Sequence, residues 1–360
     1  MEVIDFLQDV AKNVQIEPNF CVRHPSYKPF ELPAEMVTRF QKMPADVQEK
    51  YLGLQLRSFI YGIYYNGSLQ TTLTSESESD LPNSNLYQNL ENNSFLGVDV
   101  EFYQRLHESN AGEGYFDPGW QIAKEESDGT LAVVKHGLTL HIERDCHLSS
   151  AEKSAVVGDS VAIRMPRNLV QNGFYVAVSN LGTETSSNPG NYAGTVRIYF
   201  NLKAEGAIAI MASLTLKLKE IKIPFSFKVL YNPSDYGRYD SGVLYFEKSN
   251  YQAFREILQT VYTENQSYFQ AEIPLFTKLL APGLALAEEP DRKFSIQESF
   301  GMNRCQIVTN GLLEARQKGD ESPENRLKSV IYQFSLLGID WQRPYLNSNS
   351  EDIYAPLDLG

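Results

Sequence analysis

The feature that most constrains the fold is a change of hydrophobic period along the chain. Ile4, Leu7, Val10 and Val14 recur every three or four residues, the spacing of one apolar helix face. The same period runs from Pro33 to Tyr65 through Met36, Phe40, Val47, Tyr51, Leu54, Leu56, Phe59 and Ile63, until Asn66 and Gly67 end it with a turn pair. A further helix is expected near 99–109. The period then shortens. Segments 131–134, 138–142, 160–164, 173–179 and 195–201 read as short strands, as do 224–231 and 242–247. Helices are expected again over 204–220, 248–264, 295–316 and 322–337. Strands bunched between helical segments predict an α+β fold, a central, mostly antiparallel sheet flanked by helices. The expected organisation is a mainly helical region over 1–110, an α+β core over 111–345 and a tail over 346–360. The Ser-, Asn- and Glu-rich stretch 71–95 reads as a loop with too little apolar surface to pack.

Composition removes several classes. A chain of 360 residues with 42% hydrophobic and 21% charged residues can bury a full core without staples. The net charge of −13 argues against nucleic-acid partners and anionic membranes. No run approaches 18 apolar residues, and Met1 to Asp5 lacks the start of a signal peptide. Three widely spaced cysteines, Cys21, Cys146 and Cys305, suit a reducing cytoplasm. The glycosylation patterns at Asn66 and Asn92 then read as chance. No P-loop, G-x-G-x-x-G, H-E-x-x-H or G-x-S-x-G is present. His141, Cys146 and His147 lie close together but match no common zinc spacing, so no metal is expected.

The informative signal is polar residues on one face of the strands, since strand side chains alternate faces. Val196, Ile198 and Phe200 share a core face, which leaves Arg197, Tyr199 and Asn201 on the other. Phe225, Phe227, Val229 and Tyr231 share a face, with Ser226 and Lys228 opposite. His141 stands opposite aliphatics in 138–142, as Arg164 does in 160–164. One reading is a solvated sheet face. The other is a cationic floor that would bind phosphate or carboxylate. Between 197 and 240 there are seven positive and four negative residues, a local excess of positive charge in an acidic chain. The turn from Tyr231 to Gly242 adds Arg238 and three tyrosines, and the Gly-rich loop from Gly182 to Gly194 reads as a flap leading into Arg197. Lys278 and Arg304 place further cations beside small residues, with Ser299 a cap for the helix that carries Arg304.

The stretches Asn19–Pro25, Phe59–Gly67, Arg197–Asn201, Phe227–Pro233 and Ser299–Arg304 resemble the HopA1 family, which is named after a plant-pathogen type III secretion effector. The resemblance runs from about 19 to about 316 and is strongest to free-living bacterial, especially cyanobacterial, members. It implies an α+β fold. Some members, in thioamitide and class V lanthipeptide pathways, are lyases paired with a separate kinase. They eliminate phosphate from phosphoserine or phosphothreonine in a precursor peptide. On that reading Lys228 is the candidate base and His141 the candidate acid, with Tyr199 or Tyr231 as substitutes. Arg197, Arg238 and Arg304 are the candidate phosphate ligands, with Asn201, Arg164 and Lys278 beside them. No cofactor is required, and the partner is a phosphorylated peptide or protein. The alternative is a non-catalytic, effector-like module whose cationic groove docks a phosphorylated or acidic partner.

Overall fold

The structure, a computed structural model, describes residues 2–74, 97–182 and 194–359. Most of the Ser-rich stretch 71–95, the pattern at Asn92 and the interior of the loop 182–194 lie outside the described residues. Among the described residues the α-helices are α1 (Val3–Asn13), α2 (Ala34–Gln41), α3 (Ala45–Ile60), α4 (Gln70–Thr74), α5 (Val100–Ser109), α6 (Arg144–His147), α7 (Ala204–Ile221), α8 (Tyr251–Asn265), α9 (Phe300–Gln317) and α10 (Pro323–Leu336). Their starts follow local chemistry. Asp99 accepts a hydrogen bond from the Phe102 amide, and Ser299 and Ser322 cap α9 and α10 in the same way. Pro33 and Pro44 stand immediately before α2 and α3, so the single helical run read over 33–65 is broken in two. None of the described helices is long and apolar enough to cross a membrane.

Among the described residues three antiparallel sheets accompany them, so the fold is α+β. A small one joins β1 (Gln15–Ile16), β2 (Val22–His24) and β3 (Tyr27–Phe30). A four-stranded sheet orders β4 (Tyr115–Glu125), β5 (Leu131–Lys135), β6 (Leu138–Ile142) and β7 (Ser160–Met165) as β6-β5-β4-β7, around a core of its own that includes Trp120, Val133 and Ile163. The central sheet has seven strands: β8 (Asn168–Gln171), β9 (Phe174–Val178), β10 (Thr195–Phe200), β11 (Ser226–Leu230), β12 (Gly242–Glu247), β13 (Lys278–Ala281) and β14 (Leu284–Glu288). They run in the order β13-β14-β10-β12-β11-β9-β8.

The central sheet has two cores. On one face Val196, Ile198, Phe200, Phe227, Leu244 and Phe246 pack with residues of α5, α7 and α8. On the other, Tyr199, Val243, Ala285 and Ala287 pack with residues of α1, α3, α9 and α10. This second core corrects the expectation that Arg197, Tyr199 and Asn201 line an open face. All three are buried, Arg197 at 8% exposure, because helices cover β10 on both sides. The cover stops short of β11 and β9, where Lys228 is only half-buried.

Candidate functional site

The site is organised by the stretch Phe59–Gly67. Here α3 widens into a π turn over Tyr61–Tyr65, closed by the Asn66 amide on the Tyr61 carbonyl at 3.0 Å. A π turn releases carbonyls that must find other donors. Gly62 O accepts from the Leu69 amide at 2.9 Å, Ile63 O from Gln70 Nε2 at 2.8 Å and Tyr65 O from the Leu275 amide at 3.0 Å. Tyr61 and Tyr65 emerge stacked, with centroids 4.9 Å apart. Gly301 on α9 permits this, since a Cβ there would stand 2.3 Å from the Tyr65 ring.

The turn between β11 and β12 docks on the π turn. The Tyr239 amide donates to Asn66 O at 2.9 Å, and its hydroxyl to Gln70 Oε1 at 3.1 Å. Next to it Asp240, 6% exposed, accepts Arg238 Nε at 2.6 Å and Nη2 at 2.9 Å, the Tyr61 hydroxyl at 3.2 Å and Asn66 Nδ2 at 3.3 Å. Burial pushes the Asp240 carboxyl up, but the Arg238 charge, these bonds and the nearby Lys228 charge outweigh it and hold it below the ordinary carboxylate value. Burial and Asp240 together drive the Tyr61 hydroxyl well above its ordinary value, so it stays a donor.

Beside this network lies Tyr245 of β12, in register with Arg197 of β10 and Ser226 of β11. The Arg197 guanidinium lies 5.1 Å from the Tyr245 ring centroid and Lys228 Nζ 5.4 Å from the same centroid. The two cations are therefore no further apart than the sum of those distances. Arg197 is bound to the buried carboxylate of Glu289, which also takes Lys293 Nζ at 2.5 Å. Burial works against the Arg197 charge, and Tyr245 and Glu289 more than restore it. Lys228 differs. Its Nζ lies 4.6 Å from the Phe174 ring and 3.5 Å from Gln171 Oε1, and no described carboxylate pairs with it.

The other candidate residues are placed as follows. Arg304 is fully buried and donates to Pro344 O at 2.8 Å, Leu346 O at 3.2 Å and Asn303 Oδ1 at 2.5 Å, with Phe300 under its guanidinium at 4.9 Å. Burial lowers its pKa to about 10. Lys278 is bound by both oxygens of Asp352 at 2.8 Å. Asn201 donates to Glu272 O at 3.0 Å. Tyr199 shares a face with Arg197, edge-on to Tyr65, and its buried hydroxyl has no hydrogen-bond partner of ordinary geometry among the described residues. Tyr231 lies on the opposite face, in the core under α5, α7 and α8, and its hydroxyl accepts the Gly173 amide at 3.0 Å. His141 and Arg164 belong to the four-stranded sheet. His141 is exposed on its edge strand β6, and Arg164 donates to Glu113 O at 3.0 Å. Arg197 and Lys228 thus share the Tyr245 ring, Arg238 is tied to Asp240 in the adjoining turn, Arg304 stacks on Phe300, and His141 and Arg164 stand on another sheet. Among the described residues no three His, Cys, Asp or Glu side chains form a group able to hold a metal.

A sheet with helices on both faces and a half-buried, aromatic-lined lysine toward one end defines an α+β protein. The model of the HopA1 effector protein family matches residues 165–346, half of the chain, and the chain belongs to that family. The match takes in the stretches at 197–201, 227–233 and 299–304 and begins where the four-stranded sheet ends. Two solved structures are similar, the effector proteins from Pseudomonas syringae pv. tomato strain DC3000 and from Pseudomonas syringae pv. syringae strain 61. Each is 17% identical over 69% of this chain and 81% of its own, with a TM-score of 0.40. No curated protein matches the chain.

Proposed function

We propose that this protein recognises phosphoserine or phosphothreonine in a peptide or protein at the Lys228 patch and eliminates the phosphate there. The observation that carries the reading is the lysine itself. It is a half-buried cation on a sheet face, between the rings of Phe174 and Tyr245, with Arg197 against the same Tyr245 ring, and without a carboxylate of its own. An incoming phosphate would supply the missing counter-charge. In the reaction, Lys228 Nζ acts in the form that has given up its own proton to solvent, not in the ammonium form that pairs with phosphate, and takes the substrate Cα proton. The C–H electrons form the Cα=Cβ bond, and the Cβ–O bond breaks with its pair leaving on phosphate. The product is a dehydroamino acid. The Tyr199 hydroxyl, held protonated by burial, is the donor candidate on the same face. A kinase that prepares the substrate and a cytoplasmic setting belong to this reading.

A second reading, non-catalytic docking of a phosphorylated or acidic partner, is favoured by a different observation. Arg197 and Arg238 are already neutralised by Glu289 and Asp240, and His141 is in another sheet. Mass spectrometry of phosphopeptides incubated with wild type and Lys228→Ala separates the two. Elimination predicts loss of phosphoric acid from the peptide with wild type and none with the variant. Binding without any mass change supports docking. Recovery of the plain hydroxyl peptide would mean hydrolysis and would contradict elimination.

A further inference from the structure

The central sheet ends in β8, and the structure describes no strand beyond it. β8 and β9 form a hairpin around Asn172 and Gly173, with Gly173 at φ +80°. The Val178 amide bonds to Arg167 O, so Arg167 is a hydrogen-bonded pair position. Antiparallel pairing alternates, so Leu169 and Gln171 also face β9, whereas the backbone groups of Asn168 and Val170 point outward. The strand reads Asn-Leu-Val-Gln, without the lysine or proline that commonly guards an edge, and exposes Leu169 at 40% and Val170 at 71%. The opposite edge is covered. There the Leu357 amide bonds to Leu280 O, and Asp352 grips Lys278.

Lys228 connects this edge to the anion patch. Lys228, Val176 and Leu169 are in register across β11, β9 and β8, so they share a face. Its Nζ sits between the Tyr245 ring of β12 and the Phe174 ring of β9, and on the β9 side it reaches Gln171 of β8. A strand added outside β8 would lie about 4.8 Å further out. Its side chains on that face would point to the side where Nζ waits. We propose that the phosphorylated segment binds as an extra antiparallel or parallel strand on β8, bonded to the outward groups of Asn168 and Val170, with its phosphate turned to Lys228. The inference rests on the phosphate-recognition reading above in its docking form, since a strand three spacings from β11, about 14 Å away, keeps its Cα protons out of reach of Lys228 Nζ.

The test uses short peptides with one central phosphothreonine and their unphosphorylated twins, measured by fluorescence anisotropy and by hydrogen exchange. Val170→Pro removes an outward N–H and leaves the bonds to β9. It should weaken both peptides by about tenfold or more and keep their affinity ratio. Lys228→Met should instead collapse the ratio. In wild type, the Asn168 and Val170 amides should exchange fast when free and slowly when bound. Should the proline variant not fold, the exchange data decide alone. Phosphate preference with unprotected Asn168 and Val170 amides, or with wild-type affinity in Val170→Pro, would overturn the edge proposal and leave the phosphate reading standing. Slow exchange at these amides in the free protein would mean an edge already covered, and would also overturn it. No preference for the phosphorylated peptide would remove both.

Discussion

The two ends of the seven-stranded sheet treat their cations in opposite ways. At the β13–β14–β10 end both faces are covered and the C-terminal residues seal the edge. Each candidate cation there has protein partners, Arg197 with Glu289, Lys278 with Asp352, and Arg304 with two carbonyls and an amide oxygen, and the nearby Lys248 is paired with Glu288 at 2.8 Å. At the β11–β9–β8 end the α5–α7–α8 face is covered over β11 and β9 but not over β8, no described strand pairs with the edge, and Lys228 has rings and an amide for neighbours. Taking a charge out of water is expensive, so a cation in a core must be paired. The paired cations are therefore explained by folding. Among the described residues, Lys228 is the cation on the faces of the central sheet that has no carboxylate partner.

The largest expected effect breaks a pair at the closed end. Glu289→Ala leaves Arg197 buried beside Tyr245 without its counter-charge, and should cost about 3–5 kcal/mol in chemical denaturation. Next is Gly301→Ala, whose new methyl collides with Tyr65 and should cost about 1–3 kcal/mol while disturbing the π turn. Acid gives a third. Asp240 and Glu289 titrate below their ordinary values in the fold, so folding favours their charged forms. Their stabilisation is whole above the unfolded carboxyl range, near about pH 4, and is lost as pH falls through that range toward the folded values. Thermal midpoints should fall on acidification in that window, and Asp240→Asn should flatten the fall. The smallest effect belongs to the open end, where Lys228→Met should change stability by no more than about 0.5 kcal/mol.

The α+β class was legible because helix and strand periods differ, and most elements between 131 and 337 follow those periods. β14 was not, because Leu284–Glu288 is buried at every position and shows no alternation. The site was legible in part. Alternation marks Lys228 as a cation opposite an apolar face, but it does not say which sheet a strand joins, and so His141 was grouped with residues of another sheet. The positive excess over 197–240 also misled. Its counter-charges come from far along the chain, Glu289 at 92 positions from Arg197 and Glu113 at 106 from Lys219. Tyr61, Tyr245 and Asp240 were missed as site residues, although the tyrosines of Phe59–Gly67 and the glycine at 301 were visible signals. Only the folded chain brings them together.

The most direct test of the contrast is the affinity of Lys228→Met for a phosphothreonine peptide against its unphosphorylated twin, measured with the variant's thermal midpoint. The expected result is an unchanged midpoint, loss of the preference for phosphate and no elimination product. A folded Lys228→Met protein that still prefers the phosphorylated peptide as strongly as wild type would contradict the account.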